Sequence, residues 1–374
     1  MSRLKEIQIK TERLLRLISQ AGLGGILINS QPNFAWLTAG GRNGIDLSRE
    51  AGAGALFLRR DGKRFVLANK IEIDRLLTEE LDGQGYEPVD FPWEEEKGNP
   101  SLAAHVARSL VTEKLPIGSD LISGEDLRVI DGDIARARYQ LTEAEIERFK
   151  ALGRDAGQAI GEMARKLEPG ITEREVARRA IDALSAFGVY SVVTLVAADD
   201  RLQRFRHPLP TSLQWRKFLM IAVCARRDGL IASLTRIVCD GAIPDDLDVR
   251  TRGGAFVNAR LLDATKPGVT GRELYEVAAR AYSEVGFPGE ERLHHQGGAA
   301  GYRTRDWVAH PLNTEKVQNA QAFAWNPSIT GSKVEETCIA FEERIEIITT
   351  SPDWPFIPTE VEGRAYALPG VLSL

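Results

Sequence analysis

The sequence predicts an α/β domain over residues 1–138, followed by a larger α+β domain over residues 139–374 that consists of two similar halves. The main observation is an internal repeat. Residues 169–176 are Pro-Gly-Ile-Thr-Glu-Arg-Glu-Val, and residues 267–274 are Pro-Gly-Val-Thr-Gly-Arg-Glu-Leu, an offset of 98 residues. Solenoid repeats run roughly 20 to 50 residues, so this longer period indicates one domain made by duplication.

Each copy of the repeat also has the signals of a helix start. Thr172 and Thr270 are each followed three residues later by Glu, which is the capping-box spacing. Alanine-rich helical stretches precede the two copies, near residues 156–167 and 255–262, and a Gly follows each capped helix. The alternative is a chance recurrence of common turn chemistry, but the flanking periodicity agrees with a duplication.

The first domain alternates helices and strands. Residues 7–21 form an amphipathic pattern that ends at Gly24-Gly25, and the apolar run 26–28 follows. Two further apolar runs, 55–58 and 64–68, flank the turn Arg60-Asp61-Gly62-Lys63 and predict a hairpin. Helices are then predicted at residues 71–81 and 101–113. This alternation is typical of an α/β domain, and we place its end near residues 136–141.

Composition excludes several classes of protein. With 374 residues, 43% hydrophobic, 27% charged and a net charge of −5, the chain has neither a disordered composition nor a basic nucleic-acid surface. It contains no apolar run of about 18 residues, and residues 1–10 lack the apolar centre of a signal peptide. Cys224, Cys239 and Cys338 lack Cys-x-x-Cys spacing, so we expect buried free thiols in a cytoplasmic protein that binds no membrane or nucleic acid.

Several short signals follow one another in the second domain. They are a His in a polar loop (205–208), a strand that ends in Thr235-Arg236, the Pro-Gly-Val-Thr helix start, a His-His-x-Gly segment (294–297), Asn326-Pro327 and Glu335-Glu336-Thr337. Their order, with the duplication, resembles the pita-bread family that contains creatinase, prolidase, aminopeptidase P and methionine aminopeptidase. The resemblance covers nearly the whole chain and implies a pita-bread fold for residues 139–374.

The same resemblance implies five metal ligands, but only one of them is present. The family's metallopeptidases hold two ions with two Asp, one His and two Glu; the matching positions here are Ala222, Ser233, Gly298, Asn326 and Glu335. One carboxylate with a serine and an amide cannot offset the charge of two ions. We therefore predict no catalytic metal and no cofactor. The alternative is a register slip that recruits Asp228, His294 or His295, which would need a β-bulge.

The resemblance to creatinase implies hydrolysis of a C–N bond without metal, with a His at the position of His207. In a polar loop, His207 could act as a general base, although it could also be a solvated loop residue. Glu335 is the second predicted catalytic residue, orienting the substrate. Lys333 lies two residues earlier on the same side of the strand, and we predict that it replaces the lost metal charge. The alternative for Lys333 is a surface ion pair.

We predict further substrate contacts around these residues, from Ser233, His295, Tyr302, Arg303, Arg305 and Asn326. An arginine there could hold a carboxylate in a bidentate contact. Because His294 and His295 are adjacent, on an extended segment at most one of them would face the site. The resemblance further implies a homodimer, with Arg42 and Asn43 as candidates to reach the partner's site.

Three functions are open at this point. The first is a metal-independent hydrolase of a C–N bond in a small amino-acid-like or amidine substrate. The second is an Xaa-Pro peptidase, and the third is a non-catalytic protein that binds a small-molecule or peptide-like ligand. The loss of ligands argues against the peptidase. Lys333, Glu335 and His207 together favour the hydrolase.

Overall fold

A computed structural model describes residues 2–121 and 127–374. The chain divides into two compact units, Met1–Ala144 and Glu145–Leu374. The division lies just inside a long helix that begins at Glu143, whereas the sequence placed the boundary between residues 138 and 139. No helix of the described residues is both long and apolar enough to cross a bilayer.

The first unit is an α/β layer structure. Its elements are α1 Arg3–Ala21, β1 Gly25–Ser30, α2 Gln31–Leu37, β2 Ala51–Arg59, β3 Arg64–Asn69, α3 Ile73–Arg75, β4 Tyr86–Phe91, α4 Trp93–Gly98, α5 Leu102–Ser109, β5 Ile117–Ser119, β6 Leu127–Val129 and α6 Asp131–Tyr139. The strands form one sheet in the order β4-β3-β2-β1-β5-β6. Strand β2 pairs antiparallel with both β1 and β3, so the predicted hairpin is confirmed.

Local sequence explains the start and end of α1. The Ser2 side chain accepts a hydrogen bond from the Lys5 N–H, which caps the first turn. Gly22 ends the helix at a φ of 65°, a left-handed conformation that glycine adopts without steric cost. The helix buries Ile7, Leu14 and Ile18 on one face, as its amphipathic pattern predicts.

The helix predicted over residues 71–81 is present over residues 73–80, although its second half, Leu76–Glu80, is π-helical. The prediction that Asn43 reaches a partner is wrong. Asn43 is buried: its Nδ2 donates to the carbonyl of Gly54 at 2.9 Å, so it stabilises the inside of this unit and is not free to reach a partner. The Arg42 backbone N–H donates to the Glu80 carboxylate at 2.8 Å.

The second unit begins with most of α7 and ends in a set of strands. Its elements are α7 Glu143–Ala164, α8 Glu173–Ser185, β7 Tyr190–Ala198, α9 Asp200–Arg204, β8 Phe218–Arg227, β9 Leu230–Cys239, α10 Asp245–Ala264, α11 Gly271–Glu284, β10 Gly297–Ala300, β11 Trp307–Val308, β12 Gln321–Trp325, β13 Ser328–Ile329, β14 Ser332–Lys333, β15 Glu336–Ala340, β16 Ile345–Ile347, β17 Phe356–Val361, β18 Arg364–Pro369 and β19 Val371–Ser373. The main sheets have the orders β19-β9-β8-β7 and β11-β10-β12-β15-β16.

The predicted duplication is visible in backbone contacts. In the first half, Thr172 forms an isolated bridge with Gln214, and in the second half Thr270 forms the same bridge with Lys316. Both threonine side chains accept a hydrogen bond from the backbone N–H three residues on. Each half therefore begins with the same capped helix, α8 or α11, fixed to the same kind of extended segment. The α/β unit and the duplicated α+β unit confirm the predicted fold class.

Hydrogen bonds between the two main sheets position the candidate site. The Thr337 hydroxyl accepts from the Ser233 N–H at 2.7 Å and donates to the Ser233 carbonyl at 2.8 Å. Two residues along β9, the Thr235 N–H donates to the Glu335 carbonyl at 3.2 Å. These contacts hold the chain before β15 against β9, so that Glu335 lies beside Thr235.

Candidate functional site

A cavity of about 150 Å³ opens in the second unit, beside strands β7 and β8. Its polar lining comes from distant parts of the sequence: His207, Cys224, His295, Thr304, Arg305, Asn326, Lys333 and Glu335. Of the predicted site residues, the structure brings His207, His295, Arg305, Asn326, Lys333 and Glu335 together around this cavity.

Glu335 is a buried carboxylate with three partners. Lys333 Nζ lies 2.7 Å from its Oε2, the Thr235 hydroxyl donates to the same oxygen at 2.7 Å, and Arg305 Nη2 lies 3.2 Å from its Oε1. Burial alone would raise the pKa of Glu335, but the charges of Lys333 and Arg305 and these hydrogen bonds lower it to about 2. Glu335 is thus a fixed anion near neutral pH and orients the two cations.

Arg305 connects this carboxylate to the neighbouring polar groups. Its Nη2 also donates to Asn326 Oδ1 at 3.1 Å, and its Nη1 donates to the carbonyl of Thr304 at 2.6 Å. Its buried Nε has no hydrogen-bond partner among the described residues. Buried polar groups are usually satisfied, so this donor is an exception within the site.

The positions of the implied metal ligands do not fit a pair of ions. Ala222 and Cys224 lie opposite Thr235 and Ser233 in the β8–β9 ladder. The first two implied ligand positions, Ala222 and Ser233, therefore carry a methyl group and a hydroxyl, and only Ala222 lines the cavity. The Ser233 hydroxyl donates to the Cys224 sulfur at 3.3 Å. Burial raises the pKa of the Cys224 thiol, which leaves it protonated.

At Gly298 the backbone has no room for the implied His. A Cβ added there would lie 2.0 Å from the carbonyl oxygen of Trp307 on the paired strand β11. A register slip does not bring in Asp228 either, because Asp228 lies in the turn that joins β8 to β9. With Lys333 bound to Glu335 as well, the residues present suit two cationic side chains and not a dinuclear metal centre.

Three histidines form a cluster at the side of the cavity. His207 Nε2 lies 3.1 Å from His294 Nε2, and the ring centre of His295 lies 4.6 Å from that of His294. Burial and then the charge of Lys333 lower the pKa of His207. The pKa of His294 is lowered to about 2, by burial and the charge of Lys333. Burial and the charge of Arg305 lower that of His295 to about 4, so the cluster is neutral near pH 7.

The expectation that at most one of His294 and His295 faces the site agrees with the cavity lining, which includes His295 but not His294. Its premise of an extended segment is wrong, because a 3-10 turn, Glu290–Arg292, and a bend precede strand β10. In that bent backbone the two imidazole ring centres lie 4.6 Å apart. His294 is buried and reaches His207, while the more exposed His295 lines the cavity.

A second layer of contacts orients His294. Its Nδ1 lies 3.0 Å from the Ser328 hydroxyl oxygen, which also accepts a hydrogen bond from Arg206 Nη1 at 3.1 Å. Arg206 in turn pairs with Glu290 at 2.5 Å. This chain of contacts fixes the ring plane of His294 and directs its Nε2 toward His207.

Three predicted substrate contacts lie away from the cavity lining. Tyr302 is buried, and its hydroxyl donates to the Glu145 carboxylate at 2.8 Å. Arg303 does not line the cavity either, and Ser233 contributes only through Cys224 and a 3.5 Å contact with Arg305. Thr235, whose hydroxyl binds Glu335, was not among the predicted site residues. The two-residue spacing from Ser233 places its side chain on the same face and could have indicated it.

The chain is similar in sequence to a family of metallopeptidases. Residues 147–349, more than half of the chain, match the sequence model of Metallopeptidase family M24. An uncharacterized peptidase from Staphylococcus aureus strain MW2 is 22% identical over 313 residues, which are 79% of this chain and 87% of that protein.

Solved structures show the same fold at low sequence identity. An Xaa-Pro dipeptidase from Bacillus anthracis has a TM-score of 0.75 and 19% identity, over 92% of this chain and 98% of that one. The prolidase from Pyrococcus horikoshii OT3 has a TM-score of 0.75 and 17% identity, over 91% and 98%. The N-terminal domain of FACT complex subunit SPT16 from Cicer arietinum (chickpea) has a TM-score of 0.72 and 12% identity, over 93% and 96%. These likenesses confirm the predicted pita-bread fold.

Proposed function

Since this chain belongs to metallopeptidase family M24 but has only one of the family's five implied ligands, we propose that it hydrolyses a C–N bond in a small substrate without the paired metal ions. The observation that supports this most directly is the arrangement of Lys333 and Arg305 on either side of Glu335. Two fixed cations beside a neutral histidine cluster provide the charge and the base that such a reaction needs.

The charges around the cavity favour an anionic substrate. The positive charges of Lys333 and Arg305 exceed the negative charge of Glu335 by one. A substrate carboxylate would balance that remaining positive charge. The volume of about 150 Å³ limits the substrate to the size of an amino-acid-like or amidine molecule or a short peptide end. Asn326 and His295 supply further polar contacts at the cavity wall.

His207 is the proposed general base. In the productive tautomer its Nε2–H donates to His294 Nε2, and the Nδ1–H of His294 donates to the Ser328 hydroxyl. The His207 Nδ1 lone pair then accepts a proton from the attacking water as the water oxygen bonds to the carbon. The same proton passes to the leaving nitrogen as the C–N bond breaks. Lys333 stabilises the negative charge that develops on the oxygen or nitrogen atom double-bonded to the attacked carbon.

Two other functions are distinguishable from this one. The structural likeness to an Xaa-Pro dipeptidase and a prolidase favours a peptidase. The likeness to a FACT complex subunit means that the fold by itself does not establish catalysis. A protein without catalytic activity would still bind small carboxylates between Lys333 and Arg305.

The test is an assay of chelator-treated protein against amidino acids, N-carbamoyl and N-acyl amino acids, and Xaa-Pro dipeptides, with released amine as the readout. We expect turnover without added metal, a loss of about 10²- to 10⁴-fold in His207→Gln, and no change in the matched control His310→Gln, whose exposed side chain lies outside the cavity. Activity that requires added manganese or cobalt would favour the peptidase. Saturable carboxylate binding with no turnover of any class would favour the binding protein.

The proposal also includes a cytoplasmic location and a homodimer. Cys224, Cys239 and Cys338 are free thiols, which suits the reducing cytoplasm. A homodimer, implied by the family resemblance, is tested by light scattering of the purified chain at assay concentration. A monomer with full activity would contradict any contribution of a partner to the site.

A further inference from the structure

We propose that His207, His294 and His295 together bind one late first-row transition-metal ion, such as Zn²⁺ or Ni²⁺, and that this ion inhibits the proposed hydrolysis. The ligand nitrogens of the three residues all lie within 4.8 Å of one another. None of the three stands at a family ligand position identified above, so this site is distinct from the dinuclear centre that the chain lacks.

The geometry of the cluster suits imidazole coordination. Zinc–nitrogen bonds of about 2.0–2.1 Å place tetrahedral nitrogen ligands roughly 3.3 Å apart. The Nε2 atoms of His207 and His294 are already 3.1 Å apart. His295 is the more exposed of the adjacent pair, so a rotamer adjustment brings its nitrogen to bonding distance without moving the buried ring.

The contacts behind His294 are those of an oriented metal ligand. A ligating histidine usually donates its other N–H to a fixed acceptor, which sets the tautomer. Here the Nδ1 of His294 lies 3.0 Å from the Ser328 hydroxyl oxygen, and Ser328 is held by Arg206. Arg206 pairs with Glu290, so the acceptor is itself fixed. The Nε2 lone pair of His294 therefore points toward the other two histidines.

The surrounding charges select the kind of ion. Glu335 is occupied by Lys333, Arg305 and Thr235, so no free carboxylate is added to the three imidazoles from that side. Mg²⁺ and Ca²⁺ depend on oxygen ligands and are disfavoured. Ions that bind neutral imidazole strongly are favoured. The excess positive charge of Lys333 and Arg305 favours an anion, such as chloride or a substrate carboxylate, in the remaining coordination position.

Metal binding and base catalysis exclude each other at His207. The ion takes the Nε2 lone pair, so the ring hydrogen moves to Nδ1, the atom that must be free to accept a proton from water. No net proton is released in this change of tautomer. The ion therefore inhibits, whereas the pair of ions implied by the family resemblance would activate.

Isothermal titration of the chelator-treated full chain with Zn²⁺ and Ni²⁺ tests the site directly, without substrate. We expect about one equivalent, no binding of Mg²⁺, affinity reduced at least about tenfold in His207→Ala and in His295→Ala, and no change in the control His310→Ala. Ser328→Ala keeps all three ligands and should weaken binding by about 10- to 100-fold.

Three results would overturn the inference: no saturable binding, equal affinity in the histidine variants, or two equivalents that are lost in Glu335→Gln. For the inhibitory part, Ni²⁺ should abolish turnover and a chelator should restore it; turnover unchanged at saturating Ni²⁺ would refute it. Because binding is measured alone, a protein that hydrolyses nothing but binds one ion would contradict the proposed function and leave the metal site standing.

Discussion

Replacing Lys333 with Met removes a buried cation from a buried anion. The Lys333 ammonium lies 2.7 Å from Glu335 Oε2, and the two side chains are only 7% and 5% exposed. In the variant the carboxylate keeps Arg305 and Thr235 but loses its nearest charge. Breaking a buried pair by removing one partner usually costs about 3–5 kcal/mol, because the remaining charge stays desolvated.

The pKa of Glu335 gives a second, independent value for the stability that its partners contribute. Its partners outweigh burial and lower the pKa from 4.5 to about 2. That shift corresponds to about 3 kcal/mol of stability from the ionised carboxylate. Because the folded-state pKa is the lower one, this stability is present above pH 4.5 and is lost as the pH falls toward 2. In Lys333→Met the folded-state pKa rises, so the loss of stability in acid still begins near pH 4.5 but becomes smaller and ends at a higher pH.

Urea denaturation at pH 7 and along a series down to pH 3 measures both effects. We expect Lys333→Met to lose about 3 kcal/mol at pH 7 and the double variant with Glu335→Gln to lose less than the sum of the single variants, a coupling of about 1–3 kcal/mol. Lys150→Met is the control, because Lys150 pairs with Glu346 at a similar 2.9 Å but at 28% and 36% exposure. That variant should lose no more than about 1 kcal/mol. Equal losses in Lys333→Met and Lys150→Met would refute the buried-pair argument.

Two further predictions concern the backbone. Gly298→His should unfold the protein or cost more than about 4 kcal/mol and restore no metal, because its Cβ would lie 2.0 Å from the Trp307 carbonyl oxygen. Gly301→Ala is the control, since its Cβ would meet nothing nearer than 3.7 Å, and a thermal scan with added manganese compares the two. Thr270→Ala should cost about 1 kcal/mol in urea denaturation, and more than Thr172→Ala, because only Thr270 has the reciprocal capping box. A larger loss in Thr172→Ala would contradict this.

The fold was predictable because its signals are local. The capped starts of α8 and α11 depend on residues within one helical turn, and the duplication repeats those residues. The π-helical segment Leu76–Glu80 was not predictable, because apolar spacing does not distinguish it from a regular helix. Sequence periodicity reports which face is buried, and it is less informative about how the backbone winds between buried contacts.

The candidate site was predictable only where the spacing of residues along a strand determines which side their side chains face. Lys333 and Glu335 are two residues apart and do face the same side, as expected. Tyr302 and Arg305 were equally plausible from sequence, but Tyr302 pairs with Glu145, a contact across 157 positions that no local pattern encodes. The orientation of His294 depends on a bend, and a bend has no side-chain period to reveal it.

Under the proposed function, the absence of the implied metal ligands and the presence of a histidine cluster have one chemical explanation. A bound metal lowers the pKa of its water to about 7 and so supplies a nucleophile without a strong base. The cations Lys333 and Arg305 can stabilise negative charge, but as hydrogen-bond donors they do not bind and ionise water in that way. In the proposed hydrolysis, fixed cations replace the ions, so the reaction needs a separate proton acceptor beside the cavity. We assign that role to His207, which is neutral and next to His294, and the same neutral nitrogens are those of the proposed metal site.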